Sequence, residues 1–171
     1  MSIQNIVLAG GCFWGVQHFF SLAKGIVNSE CGYAQSQQAA VTYQEACAQT
    51  LNAVEVVQVT YDSAQISLAQ ILEYLFRIID PTSLNQQGGD IGLQYRVGLY
   101  YDNTPEGLMQ ADIAHQFVAK KQANYAKPIV FEIEALQQYN SAEDYHQAYL
   151  VKNPTGYCHV DMKKLLPHER K

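Results

Sequence analysis

The residue best suited to chemistry is Cys12, which lies in the run GGCFWG at residues 10–15. The run separates a predicted strand from a predicted helix, so the thiol is expected at a helix N-terminus. The free N–H groups and the dipole of a helix stabilise a thiolate there, and the thiolate is the nucleophilic form of cysteine. Phe13 and Trp14 offer an apolar wall for a small non-polar group. A lone cysteine is more often buried and inert, but two adjacent aromatic residues and three glycines favour a functional role.

A second candidate, Glu55, lies near the start of a strand rich in β-branched residues, Val54–Tyr61. Side chains alternate along a strand, so Glu55 shares the more apolar face with Val57, Val59 and Tyr61. A carboxyl held among apolar side chains has a raised pKa and is a candidate proton donor near neutral pH. A solvated strand edge is the alternative interpretation, and spacing alone leaves the two equally open.

Two further segments carry polar or sulfur groups. The loop GGDIGLQYR at residues 88–96 is interrupted by glycines and enters a strand, and Gly156-Tyr157-Cys158 lies near the C-terminus. A cysteine in a mobile segment can travel to another sulfur, as a resolving thiol must. Taken alone, the loop is better interpreted as a plain turn, and an incidental surface cysteine is a plausible interpretation of Cys158.

The elements that must position these residues follow from hydrophobic periodicity and capping signals. Strands are predicted over Asn5–Ala9, Ile26–Tyr33, Val54–Tyr61, Arg96–Tyr101 and Ile129–Ile133. Helices are predicted over Val16–Leu22, Ser67–Ile79, Pro105–Ala123 and Ser141–Val151, with Ser67, Thr104 and Ser141 as N-caps. Residues 34–42 and the last twenty residues are expected to be irregular. This mixture predicts one α/β (α+β) domain over residues 1–171, with helices packed on a mixed sheet.

Composition excludes several classes of protein. The 171 residues are 48% hydrophobic and carry a net charge of −5, so neither nucleic acid nor an anionic membrane is an expected partner. The four cysteines are too few for a disulfide scaffold and include no C-x-x-C pair, so no metal site is expected. No apolar run approaches the roughly 20 residues of a membrane helix, and no signal peptide is evident at the N-terminus. We therefore expect a cytoplasmic location, with the cysteines reduced.

Together these motifs resemble the peptide-methionine sulfoxide reductase A family. The resemblance rests on residues 11–15, 32–33, 55–57, 90–96, 145–147 and 153–158, whose order and spacing match along roughly residues 5–161. It implies a ferredoxin-like two-layer sandwich with an irregular C-terminal tail.

The resemblance also implies a role for each candidate residue. Cys12 is the nucleophile that attacks the sulfoxide sulfur, and Glu55 protonates the departing oxygen. Tyr33 and Tyr95 hydrogen-bond that oxygen, Asp90 belongs to the same polar pocket, and Phe13 with Trp14 holds the S-methyl group. The family acts on the S epimer, both in proteins and as the free amino acid.

A second set of implications concerns recycling. The resemblance implies that Cys12 becomes a sulfenic acid, which Cys158 attacks to form a Cys12–Cys158 disulfide that thioredoxin reduces. No metal or bound cofactor takes part, and a monomer is expected. Most family members have glutamate where this chain has Gln17, and many have a glycine-rich tail, some with another cysteine, where this chain has His159-Val160-Asp161. These departures leave the proposed catalytic residues in place.

Two other functions remain open at this point. The first is a cysteine-dependent hydrolase or acyltransferase that uses Cys12 with His146 or His18. The second is a non-catalytic binder of methionine-containing or oxidised segments through Phe13 and Trp14. For Cys31 and Cys47 we expect packing roles, with recycling as the alternative for Cys47.

Overall fold

The computed structural model describes residues 2–171. Its eight strands are β1 (Ile3–Gly10), β2 (Ile26–Ala34), β3 (Val54–Asp62), β4 (Gln86–Gln87), β5 (Asp90–Ile91), β6 (Val97–Tyr101), β7 (Glu132–Ala135) and β8 (Tyr139–Ser141). Its five α-helices are α1 (Phe13–Ser21), α2 (Tyr43–Cys47), α3 (Leu68–Ile78), α4 (Pro105–Lys121) and α5 (Tyr149–Lys152). None of these helices has the length and apolar character needed to cross a membrane.

Six strands form one mixed sheet in the order β7-β6-β1-β3-β2-β8, and β4 pairs with β5 as a separate hairpin. The β6–β7 pair is parallel, whereas the other pairs are antiparallel. The predicted mixed α/β class is confirmed, while the ferredoxin-like description and the single-domain assignment stay predictions.

The register of the central strands determines where the two chemical candidates meet. Strand β1 runs antiparallel to β3 with Leu8 opposite Val57. The end of β1, which leads into Cys12, therefore lies beside the start of β3, which carries Glu55. Two residues 43 positions apart in sequence are thus brought together by strand pairing alone.

The main core joins α1 and α3 to one face of this sheet. The predicted apolar face of β3 is confirmed, because Val57, Val59 and Tyr61 are at most 1% exposed. Two predicted N-caps are also confirmed: the Ser67 hydroxyl accepts from the N–H of Gln70, and the Thr104 hydroxyl accepts from that of Gly107. These side chains satisfy N–H groups that a helix leaves without intrahelical partners.

The predicted helix over Ser141–Val151 is wrong. Ser141 pairs with Gly32 in the sheet, and the N–H of Ala142 donates to the Cys31 carbonyl. A 3₁₀ turn follows over residues 144–146, and Ala148 adopts a left-handed conformation (φ 51°) before α5 begins. Sheet pairing and this left-handed residue interrupt a segment whose local pattern favours a helix.

Smaller differences are found at other elements. Helix α1 begins three residues earlier than predicted, directly after Cys12, and β7 begins three residues and ends two residues later than predicted. Helix α2 and the β4–β5 hairpin were not predicted. Helix α2 carries a capping box in which Thr42 and Glu45 satisfy each other's backbone N–H groups.

Candidate active site

Cys12 is the N-cap residue of α1 and is only 7% exposed. Glycines precede it because the turn demands them: Gly11 has φ +87°, and a Cβ on Gly11 would lie 2.8 Å from the Cβ of Gln87. The structure therefore places the thiol at a helix N-terminus, as predicted, in a tight turn that closes against the β4–β5 hairpin.

Glu55 contacts the same helix N-terminus. Its Oε1 accepts a hydrogen bond of 3.2 Å from the Phe13 N–H, which belongs to the residue that follows Cys12. The residue is 1% exposed. The interpretation of Glu55 as a solvated edge residue is therefore wrong, and the apolar-face interpretation is confirmed.

Burial determines the ionisation of both groups. It raises the pKa of Glu55 to about 8, with the Phe13 N–H opposing the rise and the Asp90 charge adding to it. Burial also raises the pKa of Cys12, and the Glu55 carboxyl raises it further, against the hydrogen bond from the Trp14 backbone. The resting site thus holds a thiol beside a largely protonated carboxyl, and the expectation of an ionised resting Cys12 is wrong.

Tyr33 lies opposite Glu55 in the β2–β3 pair and is fully buried. Its hydroxyl donates to Oε1 of Glu143 over 2.8 Å, and Oε2 of Glu143 accepts from the N–H of Tyr43. Burial would raise the pKa of Glu143, but these hydrogen bonds hold it below its ordinary value. Glu143 therefore engages the proton of Tyr33 in the structure.

Asp90 lies on β5 of the β4–β5 hairpin, and Tyr95 lies in the 3₁₀ turn that follows this hairpin. The Asp90 carboxylate accepts a hydrogen bond of 3.0 Å from the Tyr157 hydroxyl. Tyr95 ends a 3₁₀ turn and is half-buried, and its pKa is raised by burial and then by the Glu55 charge. Both residues are thus close enough to Glu55 for electrostatic interaction.

The two aromatic residues after Cys12 have different environments. Phe13 is 1% exposed, with its ring centroid 5.6 Å from that of Tyr33. Trp14 is only partly buried; its ring stacks on Tyr149 at 3.8 Å, and its Nε1–H donates to Nδ1 of His146 over 3.0 Å. Trp14 is therefore held on both its face and its edge, with part of the ring accessible.

Cys158 packs against α1 close to Cys12. A Cβ on Gly15 would lie 3.0 Å from the Cys158 sulfur, so glycine is required at that helical position. All four cysteines are free thiols in the structure. Cys31 is fully buried, as expected of a packing residue, whereas Cys47 is partly exposed and its pKa is raised by burial.

The unusual Gln17 fits a network that needs an amide. Its Nε2 donates to the Ser29 carbonyl and to Oε1 of Gln147, while its own Oε1 accepts from the Ala148 N–H. The Cys31 thiol also lies 3.2 Å from that oxygen. A carboxylate at position 17 would lack both donors, so the departure from the resemblance has a physical basis.

The two histidines of the hydrolase alternative are not arranged as its catalytic base. His146 is 2% exposed and its Nδ1 accepts from Trp14, while burial lowers its pKa. His18 lines a groove of about 210 Å³ together with Trp14 and Tyr149, and neither Cys12 nor Glu55 lines it. Within residues 2–171, no group of three or more His, Cys, Asp and Glu side chains is placed to hold a metal ion.

Several residues around the site were given no role by the sequence analysis, namely Tyr43, Glu143, Tyr149, Tyr157 and His159. Glu143 and Tyr149 lie within the wrongly predicted helix, where a helical pattern gave no signal that they approach the site. Tyr157 and His159 flank Cys158, and this adjacency was the available signal for them.

The sequence of this chain is similar to those of known proteins. The family model described as "Peptide methionine sulfoxide reductase" matches residues 4–171. A protein of Ureaplasma urealyticum named "Peptide methionine sulfoxide reductase MsrA" is 47% identical over 160 residues, which cover 94% of each chain.

Solved structures agree with the sequence match. Mxr1 from Saccharomyces cerevisiae in reduced form is 35% identical with a TM-score of 0.85, covering 91% of this chain and 88% of that one. Methionine sulfoxide reductase A of Corynebacterium diphtheriae is 34% identical with a TM-score of 0.82, covering 91% and 77%. Mxr1 in complex with Trx2 is 26% identical with a TM-score of 0.58, covering 86% and 84%.

Proposed function

The chain belongs to the peptide methionine sulfoxide reductase family, and from this premise we propose that it reduces methionine (S)-sulfoxide to methionine, in proteins and as the free amino acid. One observation supports the proposal most directly: Glu55 accepts a hydrogen bond from the N–H of the residue after Cys12. A sulfur nucleophile and a sheltered proton donor therefore share one helix N-terminus.

Sulfoxide reduction needs both groups in the same step. Glu55 donates its proton to the sulfoxide oxygen while the Cys12 sulfur, losing its own proton, attacks the sulfoxide sulfur. The oxygen is transferred to Cys12, methionine leaves, and the thiol proton returns the carboxyl to its acid form. The sulfoxide S–O bond breaks and a Cys12 S–O bond forms, so methionine sulfoxide is reduced to methionine as Cys12 is oxidised to a sulfenic acid. A Glu55 pKa of about 8 supports a proton donor at neutral pH.

The substrate is held by contrasting surfaces. We assign Phe13 and Trp14 to the S-methyl group, because they form the apolar wall beside the thiol. Tyr33, Tyr95 and Asp90 form the polar side and orient the oxygen. Engagement of the Tyr33 hydroxyl by Glu143 makes Tyr95 the more readily available donor of the two tyrosines.

Recycling then uses the second sulfur near α1. The Cys158 thiol attacks the sulfur of the Cys12 sulfenic acid, an S–S bond forms, and the oxygen leaves as water. Thioredoxin reduces this disulfide through its own two thiols, a partnership supported by the complex of Mxr1 with Trx2. No metal or bound cofactor is needed in this scheme. We assign the activity to one domain over residues 1–171, which acts as a cytoplasmic monomer. Analytical ultracentrifugation would measure the mass of the particle in solution and so test the monomeric state.

The decisive experiment is an assay with each sulfoxide epimer in turn, with dithiothreitol as reductant. We expect the wild type to reduce the S epimer only. Cys12→Ser abolishes that activity, because a hydroxyl is a far weaker nucleophile than a thiol. The matched control Cys47→Ser, which removes a partly exposed thiol outside the proposed machinery, keeps it.

Full activity in Cys12→Ser would remove the assigned nucleophile. Binding of the sulfoxide without turnover by the wild type would favour the non-catalytic binder. Accumulation of an acyl-enzyme with an ester substrate would favour the hydrolase.

A further inference from the structure

The segment that carries Cys158 is packed against α1. A Cβ on Gly15 would lie 3.0 Å from the Cys158 sulfur and 2.8 Å from the Cγ2 of Val160. Val160 is buried at 7% exposure and belongs to the main core. The thiol and the valine thus face the helix, and the intervening residue, His159, points elsewhere.

His159 reaches the end of β1 beside Cys12. Its Nε2 lies 3.1 Å from the carbonyl oxygen of Gly10, two residues before Cys12. A Cβ on Gly11 would lie 3.2 Å from the same nitrogen, and one on Gly88 would lie 3.7 Å from the Cβ of His159. The imidazole therefore lies against Gly11, whose missing side chain leaves room for it, and the His159 Cβ lies near Gly88.

The hydrogen-bond roles at His159 follow from its partner. A carbonyl oxygen only accepts, so Nε2 carries the hydrogen and donates it. Nδ1 is buried and has no partner among residues 2–171. The bond to Gly10 is thus the specific polar anchor of this imidazole.

We propose that His159 is a positioning residue for recycling: its Nε2–H···O bond to Gly10 holds the Cys158 segment beside Cys12, so that the Cys158 thiol meets the Cys12 sulfenic acid quickly. The inference rests on the proposed resolving role of Cys158. In this step a Cys12–Cys158 S–S bond forms, the Cys12 S–O bond breaks, and the thiol proton leaves with the oxygen as water. Holding two reacting groups together raises their effective concentration.

Two amide variants test the bond. Gln places its amide nitrogen where histidine has Nε2, whereas Asn places it near Nδ1, too short to reach Gly10. The reduced enzyme receives one equivalent of methionine (S)-sulfoxide without reductant, and both methionine and the Cys12–Cys158 disulfide are followed over time. Thermal melting reports folding, and His115→Asn, at an exposed position on α4, is the control.

We expect His159→Asn to release methionine at the wild-type rate but to form the disulfide about 3- to 10-fold more slowly, the equivalent of losing one hydrogen bond. His159→Gln restores the rate of disulfide formation, and His115→Asn leaves both rates unchanged. The split between the two steps and the rescue by glutamine are readouts that a general structural role would not give.

Disulfide formation in His159→Asn at the wild-type rate or faster would overturn this inference alone. Equal slowing of methionine release and disulfide formation, or no rescue by His159→Gln, would also overturn it. Absence of a Cys12–Cys158 disulfide in the wild type would refute the resolving role of Cys158 itself, and the inference with it.

Discussion

Cys12 and Glu55 are both protonated in the resting site at neutral pH, because burial raises both pKa values. A helix N-terminus stabilises an anion, but here the Phe13 N–H is taken by Glu55 and desolvation outweighs the remaining stabilisation. In the resting site the Glu55 carboxyl therefore carries the proton that the proposed mechanism transfers to the sulfoxide oxygen. In the proposed mechanism, nucleophile activation therefore accompanies oxygen protonation and does not precede it.

Replacing Glu55 with glutamine tests this proton. We expect Glu55→Gln to slow methionine release in a single turnover by about 10²- to 10⁴-fold, the range of general acid catalysis. In the wild type the rate falls as pH rises through about 8, because the carboxyl loses its proton. We expect the rate of the Glu55→Gln variant to show no such fall near pH 8. An unchanged rate across the pH range would exclude Glu55 as the acid.

The two tyrosines form a matched pair for substitution by phenylalanine. Tyr33→Phe leaves Glu143 one donor short and is expected to lower the free energy of unfolding by about 1 kcal/mol. Tyr95→Phe is expected to slow methionine release more than Tyr33→Phe, because the Tyr33 proton is already engaged. Urea denaturation and single-turnover kinetics measure the two effects. A larger kinetic effect at Tyr33 would mean that Glu143 releases this hydroxyl to the substrate.

At the scale of elements, capping signals were readable because they are local. Ser67 and Thr104 each satisfy an N–H three residues ahead, so the sequence pattern contains both partners. Ser141 carries the same kind of signal but pairs with Gly32 in the sheet. The conformation of Ser141 depends on a strand more than a hundred residues away, and the hydrophobic periodicity of one segment carries no information about that strand.

The Thr104 cap gives a prediction for α4. We expect Thr104→Ala to lower the free energy of unfolding by about 1 kcal/mol, because the Gly107 N–H loses its acceptor. Thr104→Ser keeps the hydroxyl and most of the stability. Chemical denaturation of the three proteins checks the order, and activity should be unchanged because α4 does not contribute to the site. Equal stability of the alanine and serine variants would contradict the capping role.

The site was predictable as a set of residues but not as a network. The neighbours of Cys12 favoured a functional role without coordinates, whereas Glu55 and Cys158 received their roles only through the family resemblance. The hydrogen-bond partner of Tyr33 could not be predicted in this way, because Glu143 lies 110 positions away in the sequence. Ionisation was misjudged for the same reason, because desolvation of Cys12 depends on what packs over it.

At the scale of the whole molecule, the chain returns to its first helix. The Lys171 N–H donates to the Leu22 carbonyl at the end of α1, and the Lys24 N–H donates to the Glu169 carbonyl. Glu169 in turn forms a bidentate ion pair with Arg77 of α3. The irregular tail is thus fixed at its far end, and Cys158 lies where the tail crosses the start of α1.

This anchoring makes Cys158 the sulfur expected to resolve the Cys12 sulfenic acid. We expect Cys158→Ser to release one methionine per Cys12 at the wild-type rate, since the first step does not use Cys158. Sustained turnover with thioredoxin is lost, because no disulfide forms for thioredoxin to reduce. Cys47→Ser is the matched control and keeps both, and methionine release with and without thioredoxin measures the difference.

The two other thiols that could resolve the sulfenic acid, Cys31 and Cys47, differ in solvent exposure. Substituting cysteines can therefore show which thiol forms the disulfide. Cys31 is fully buried, and its thiol lies 3.2 Å from the Gln17 amide oxygen and 3.5 Å from the Phe13 carbonyl oxygen. Cys47 is partly exposed at the end of α2. Thioredoxin-driven turnover that persists in Cys158→Ser and is lost in the Cys47,Cys158 double variant would therefore assign resolution to α2, and the docked tail would then serve only to enclose the site.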